Sequence, residues 1–227
     1  ALDACDLVFL AVPHTAALSM APRLVDRGAT VVDLSADFRL KDPAVYERWY
    51  ATPHTAPDLL ARAAFGLPEL FPDDLARAAK AREAGRGALV ACAGCYPTAT
   101  SLAAAPAVRA GFVAEEGAVV VDAISGVTGA GKKATARTHF CFADENLEAY
   151  GVATHRHTPE IEQILDLKGR LVFTPHLAPA KRGLLSTVNL PLSSDAPADA
   201  ASVLERYRAF YEGNPFVRVL PEGGMPK

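Results

Sequence analysis

The sequence predicts an α/β protein: a parallel β/α layer in its first half, then a less regularly alternating α+β half. Three observations carry this. Apolar runs at 7–12 and 88–92 lack polar alternation and read as buried strands, and 30–34 reads as a further strand. Helix-compatible stretches with start and stop signals fall between them. Strand, helix, strand in that order is the right-handed parallel crossover unit.

Taken in order, Leu7-Val-Phe-Leu-Ala-Val12 is the first strand. Thr15 predicts an N-cap for a helix running to Arg27, with Pro22 interrupting the pattern and Gly28 as the terminator. Residues 30–34 form the next strand, and Ser35-Ala-Asp-Phe-Arg39 follows at its carboxyl end, where doubly wound sheets bind ligands. Asp37 and Arg39 can alternatively pair with each other on the surface. Residues 41–72 read as loop, packed down by Trp49, Tyr50 and Phe65. Residues 73–84 predict a helix, acidic at its start, basic near its end, with Gly85 beyond. Strand 88–92 leads to a helix at 98–110, ended by Gly111. Further strands are expected at 117–122, 171–174 and 184–190, and helices from Thr158-Pro159 and over 198–212.

Composition narrows the function classes. Half of the 227 residues are hydrophobic, 22% are charged and the net charge is -3. That suffices for a core and gives no reason to expect a nucleic-acid partner or a membrane surface. No apolar run approaches the ~20 residues that span a bilayer. Ala1-Leu-Asp-Ala-Cys-Asp6 does not read as a signal peptide. Four scattered cysteines suggest a reducing compartment, so a cytoplasmic setting is expected. The missing initiator Met and the ending Gly223-Gly-Met-Pro-Lys227, which looks like an interrupted loop, suggest a fragment cut at both ends.

The densest chemistry lies in Leu89-Val-Ala-Cys-Ala-Gly-Cys-Tyr-Pro-Thr98. Gly94 permits a sharp turn, and Cys95 would follow at the amino end of a helix, where the dipole favours a thiolate. Three readings stay open. Cys95 is a buried structural thiol, or half of a Cys92-x-x-Cys95 redox or metal motif, or a nucleophile that needs a histidine from elsewhere.

Downstream, Ser125-Gly-Val-Thr-Gly-Ala-Gly-Lys-Lys133 satisfies most of a phosphate-binding loop. Lys133 stands where Ser or Thr should hold magnesium. A flexible loop with solvated lysines and a loop receiving an anion are the other readings. His155-Arg-His157 precedes a helix start, and two histidines beside an arginine suggest acid/base work. A zinc site would find only two ligands there. Pro175-His-Leu-Ala-Pro-Ala-Lys-Arg-Gly183 gathers a further histidine, His176, and two cations in a turn. A cysteine nucleophile, histidines and anion-binding cations suit acyl transfer from a negatively charged substrate to a thiol.

Several of these motifs recur together in one family. Asp33-Leu-Ser-Ala-Asp-Phe-Arg-Leu40, Trp49-Tyr50, Gly66-Leu-Pro-Glu69, Gly94-Cys-Tyr-Pro-Thr98, Ser125-Gly-Val-Thr-Gly-Ala-Gly131, His155-Arg-His-Thr-Pro-Glu-Ile161 and Pro175–Gly183 occur in this order. The chain thereby resembles the N-acetyl-gamma-glutamyl-phosphate reductases of arginine biosynthesis, nearly end to end. The resemblance implies an incomplete Rossmann-like parallel-sheet domain over 1–94. An α+β catalytic domain of the glyceraldehyde-3-phosphate dehydrogenase type would follow over 95–227. It implies NADPH-dependent reduction of a small acyl phosphate to a semialdehyde through a Cys95 thioester, in a homo-oligomer (dimer or tetramer). His155 or His157 would be the acid/base, with His157 preferred. Pro13, His14, Ser125 and Gly126 would lie at the cofactor. Ser35, Arg39, His176, Lys181 and Arg182 would hold the substrate. The chain departs from the family in carrying Cys92-Ala-Gly94 where Asn-Pro-Gly is usual. It also begins after the family's Gly-rich loop and stops before its final segment, so weak or absent NADPH binding and exposed sheet edges are expected. A Cys-His acyltransferase or thioester hydrolase without a nicotinamide, and a non-catalytic binding fragment, are the other function classes.

Overall fold

The computed structural model describes residues 2–226; Ala1 and Lys227, the outermost residues of the two terminal stretches discussed above, lie outside the described residues. The chain forms two compact units, Ala1–Thr98 and Ala99–Lys227.

The first unit runs β1 (Leu7–Leu10), α1 (Ala16–Asp26), β2 (Thr30–Asp33), α2 (Pro43–Tyr50), α3 (Pro57–Arg62), β3 (Ala64–Gly66), α4 (Pro72–Glu83) and β4 (Ala88–Cys92). Helix α5 (Cys95–Arg109) starts in this unit and continues in the second. The strands form one parallel sheet in the order β1-β2-β4-β3. Val8, Leu10, Val31, Leu89 and Ala91 on the strands pack against Leu18, Ala21, Leu24 and Val25 of α1 and against Phe38, Tyr46 and Leu60.

Helix α1 tolerates Pro22 because five residues at helical spacing, Ala17, Leu18, Ala21, Leu24 and Val25, bury one face. Burial at roughly 1.5–3 kcal/mol for each large side chain offsets a proline cost of about 3 kcal/mol. Thr15 differs from expectation. It is the residue before the helix, but its side chain makes no cap hydrogen bond, and its φ of 75° lies in the left-handed region. Its N–H instead points at Asp37. Gly28 does end the helix turn, at φ 92°, with its N–H on Val25 O. The stretch 41–72, expected as loop, holds α2, α3 and β3. Both helices start on a proline, and Asp42 caps α2 by accepting from Ala44 N–H. Proline suits a helix start because its missing N–H would have no intrahelical partner there.

The second unit runs β5 (Val119–Gly126), α6 (Phe140–Ala143), β6 (Glu148–Ala149), α7 (Thr158–Leu165), β7 (Leu171–Ala178), β8 (Leu184–Asn189) and α8 (Ala200–Phe210). Its sheet is mixed, in the order β6-β7-β5-β8, with β5 and β7 parallel and both outer pairings antiparallel. One face is buried by Val119, Val121, Ala123, Leu171, Phe173 and Leu177. The other face carries the rows Val172-Val120-Asn189 and His176-Ile124-Leu185, and Val172 and Leu185 on it are exposed.

Three expectations are corrected here. Strand β5 extends through Ser125 and Gly126, which had been placed in a loop. Strand β7 continues through Pro175 and His176, which had been placed in a turn; proline lacks a ladder donor, but the Pro175 carbonyl still accepts from Tyr150 N–H at 3.0 Å. Helix α7 begins at Thr158, one residue early; His157 is its N-cap residue and Thr158 makes no cap. Helix α8 is capped by Asp199, which accepts from Ser202 N–H at 2.8 Å. It docks on α5 through Tyr207 and Tyr211, whose hydroxyls donate to Ala103 O and Leu102 O.

Candidate functional site

In the first unit the carboxyl ends of β1, β2 and β4 carry the chemistry. Cys95 is exposed and is the first residue of α5, so it stands at the head of the helix rather than in the preceding turn. The structural-thiol reading therefore fails. Only Ala93 and Gly94 separate it from β4, and Thr98 N–H and Oγ1 both donate to Gly94 O, at 2.9 and 2.8 Å. Cys92 is half-buried, and burial pushes its thiol up, which is unfavourable for redox or metal work. Among the described residues no three His, Cys, Asp or Glu side chains are grouped to hold a metal.

Beside β1 and β2 lies a buried polar cluster centred on Asp37, which the sequence reading had considered as a surface partner of Arg39. The structure buries both. Asp37 is fully buried, and its Oδ1 accepts from His14 Nδ1 at 2.7 Å, Thr15 N–H at 3.0 Å and Tyr46 O–H at 3.1 Å. His54 Nε2 donates to its backbone carbonyl. Ser35 is also buried, donating from Oγ to Asp33 and accepting from Asp37 N–H. Burial raises Asp33, against the opposing effect of its two bonds from Ser35. Arg39 donates from Nε to Cys92 O and from Nη2 to Leu34 O. The His14 ring packs at a tilt against Tyr50, 4.7 Å between centroids, and its buried Nε2 has no hydrogen-bond partner among the described residues. Pro13 precedes it in the same turn, where its carbonyl accepts from Ala16 N–H.

In the second unit the histidines gather at the amino end of α7. His155 Nδ1 accepts from His157 N–H at 3.1 Å, which leaves the proton of a neutral ring on Nε2. The His155 ring packs against those of Tyr150, His157 and Phe173 at 4.9–5.5 Å. Gly151 lies so close that a Cβ there would be 3.2 Å from the ring. Burial, helped by the Arg156 charge, lowers His155 to about 4, so it is neutral at pH 7. His157 Nδ1 is a buried atom. His176 is half-buried on β7 and donates from Nδ1 to Ala123 O.

Ser125 and Gly126 end β5 beside the segment 180–183. Gly126 N–H donates to Gly183 O, Val127 N–H to Ala180 O and Thr128 Oγ1 to Lys181 O. A Cβ on Gly126 would lie 2.8 Å from Ala180 O, so this backbone contact by itself demands glycine. Ser125, Gly126, Ala180 and Arg182 line a surface cavity of about 350 Å³. Lys181 and Arg182 are exposed. After β5 the chain enters a single 3₁₀ turn, Val127–Ala130, and not the long helix a nucleotide-phosphate loop would open.

Sequence reasoning singled out Cys95 and the histidine pair as candidates but missed Asp37 as the partner of His14, and Tyr46 and Tyr50 around it. The alternation of Asp33, Ser35, Asp37 and Arg39 after a strand was the available signal.

Comparison with known proteins follows this geometry. Over its full length the chain is 48% identical to the N-acetyl-gamma-glutamyl-phosphate reductase of Symbiobacterium thermophilum and 47% identical to that of Desulforudis audaxviator. It spans 63% of the length of each. Among solved structures, a probable aspartate-semialdehyde dehydrogenase from Pseudomonas aeruginosa is 18% identical with a TM-score of 0.67, covering 100% of this chain and 66% of that one. An aspartate semialdehyde dehydrogenase from Candida albicans, solved with NADP, is 13% identical with a TM-score of 0.62, covering 89% of this chain and 55% of its own. At such identity these two share the fold. Residues 1–78 match the semialdehyde dehydrogenase NAD binding domain, and residues 95–227 match the semialdehyde dehydrogenase dimerisation domain. The chain belongs to the semialdehyde dehydrogenase family.

Proposed function

We propose that the chain serves the NADPH-dependent reduction of N-acetyl-gamma-glutamyl phosphate to the semialdehyde, releasing phosphate, in cytoplasmic arginine biosynthesis. The observation that carries this is Cys95, exposed at the head of α5, in a chain 48% identical throughout to a reductase of that name.

In this reading the Cys95 thiolate attacks the acyl carbon of the phosphate. The C–O bond to phosphate breaks, phosphate leaves, and a thioester forms on Sγ. Bound NADPH would supply the hydride that reduces this thioester. Collapse of the resulting thiohemiacetal oxyanion expels the Cys95 thiolate and frees the aldehyde. His157 handles the thiol proton. His155, neutral with its proton on Nε2, donates a hydrogen bond to the oxyanion. Lys181 and Arg182, exposed beside the β5 end, draw the anionic substrate, and His176 lies on the neighbouring strand.

For the dinucleotide, the residues of this chain fit in one respect. His14 carries a buried, unpartnered ring nitrogen at the carboxyl ends of β1 and β2, which suits a hydrogen-bond donor on a ligand there. Pro13 and His14 would hold the dinucleotide, with Ser125 and Gly126 as further candidates. We assign the homo-oligomer to the open face of the second unit, since 95–227 match a dimerisation domain and Val172 and Leu185 stand exposed on that face.

The test is the reverse reaction: phosphate-dependent NADP reduction with N-acetyl-glutamate semialdehyde, alongside Cys95→Ser. Turnover that vanishes in the variant supports the reading. Acyl phosphate cleaved by Cys95 without any nicotinamide overturns it in favour of a hydrolase or acyltransferase.

A further inference from the structure

Strand β4 ends one residue later than its neighbour β2: the last pair in that ladder is Asp33 with Ala91, and Cys92 pairs only with Gly66 on the other side. The Cys92 carbonyl on the β2 side therefore has no strand to accept from. Arg39 supplies the missing donor. Its Nε is 2.7 Å from Cys92 O, and its Nη2 is 2.8 Å from Leu34 O, the residue just past β2. Leu34 is itself tied back, its N–H on Leu10 O. The arginine is only 8% exposed, so both bonds are made away from solvent. On the opposite side Gly66 lies flat against the strand, and Ala93 N–H donates to Gly66 O at 3.4 Å.

We propose that Arg39 is a positioning residue for the nucleophile, bracing the Cys92 carbonyl and so fixing the two-residue link that delivers Cys95 to the head of α5. This goes beyond, and rests on, the reading of Cys95 as the nucleophile. It differs from a purely substrate-binding arginine in that two of its donors, Nε and Nη2, go to backbone carbonyls. A planar fork reaches two carbonyls at once, and an ammonium on the same stem would not.

The experiment is site-resolved alkylation of the chain, each cysteine peptide quantified by mass spectrometry, with Cys5 and Cys141 as exposed internal references. Neutral iodoacetamide and anionic iodoacetate are compared in the parent chain, Arg39→Met and Arg39→Lys. The expected result is a Cys95 rate that falls about tenfold with both reagents in Arg39→Met, and less in Arg39→Lys, while Cys5 and Cys141 keep theirs. A loss confined to iodoacetate overturns the proposal, since it would mean that Arg39 attracts anions. Unchanged Cys95 rates in variants that melt earlier also overturn it, since they would mean a purely structural arginine. If Arg39→Met does not fold, Arg39→Lys carries the same comparison, because it keeps the charge and loses the fork. A parent chain in which Cys95 reacts no faster than Cys5 and Cys141 refutes the nucleophile reading itself, and that result is visible before any variant is made.

Discussion

The ring of His155 accepts the amide proton of His157, two residues on, at 3.1 Å. The His157 amide thus fixes the tautomer of His155, whose Nδ1 in turn satisfies a backbone donor at the start of α7. With Nδ1 committed and burial opposing a charge, His155 stays neutral down to about pH 4. Its folded value lies below the ordinary 6.5, so between pH 6.5 and 4 the unfolded chain binds the extra proton. Stability is therefore complete above 6.5 and is lost as pH falls towards 4. Asn at 155 keeps an acceptor for the His157 amide but cannot titrate. Urea midpoints at pH 7 and pH 4.5 should drop further for the parent chain than for His155→Asn. An equal drop would show that His155 is not held neutral.

The two histidines should also separate kinetically. His157→Asn removes the group assigned to the thiol proton and should lower turnover by about 10²–10⁴-fold. It should also slow alkylation of Cys95 in the absence of substrate. His155→Asn should impair reduction while leaving that alkylation rate unchanged, because a neutral ring with its proton on Nε2 is a donor to oxygen and not a base for sulfur. Alkylation slowed by the His155 change and not by the His157 change would exchange the two roles.

Much of this fold is written in local pattern. The run 88–92 became β4 with no change of boundary, because an apolar stretch ended by Gly94 has few alternatives. Gly28 and Gly111, both at positive φ, stop helices as their type suggests. Cys95 and the His155–His157 pair were legible because reactive side chains stood beside helix starts. What was not legible depended on tertiary partners. Residues 43–50 and 57–62 lie in a stretch that read as loop-rich, and the burial of Tyr46, Leu59 and Leu60 is what makes these short helices worth forming. Asp37 looked like a surface charge because nothing local says that His14, 23 residues earlier, meets it. Nor does anything local say that Arg39 meets a backbone carbonyl 53 residues away.

The Asp37 cluster predicts a large effect from a small change. Asp37→Ala leaves His14 Nδ1, Thr15 N–H and Tyr46 O–H without their shared acceptor, at a position where the carboxylate itself is fully buried. Stranding several donors around a buried carboxylate site should cost about 3–5 kcal/mol. Asp37→Asn keeps an oxygen for the same donors and should cost roughly half as much. Urea unfolding decides: equal losses in the two variants would mean that the charge, and not the acceptor, holds the cluster.

Three glycines in the first unit should rank by what surrounds them. At Gly87 a Cβ would sit 1.9 Å from Val25 O and 2.7 Å from Val25 C, backbone atoms in the last turn of α1 that cannot swing aside. At Gly66 a Cβ would meet Cys92 Cα at 2.9 Å, a milder collision between neighbouring strands. At Gly85 there is nothing within 4 Å, and the only penalty of alanine is its φ of 68°. Left-handed backbone costs a non-glycine residue about 1–2 kcal/mol, and overpacking typically costs about 1–3 kcal/mol or more. Thermal unfolding should therefore place Gly87→Ala lowest, Gly66→Ala between, and Gly85→Ala nearest the parent chain. Gly66→Ala should in addition slow Cys95 alkylation, because the strand it pushes carries the link to the nucleophile. Gly85, beyond the end of α4, should leave that rate untouched. If Gly85→Ala proves as harmful as Gly87→Ala, the close approach of α1 to the start of β4 is not what selects glycine there.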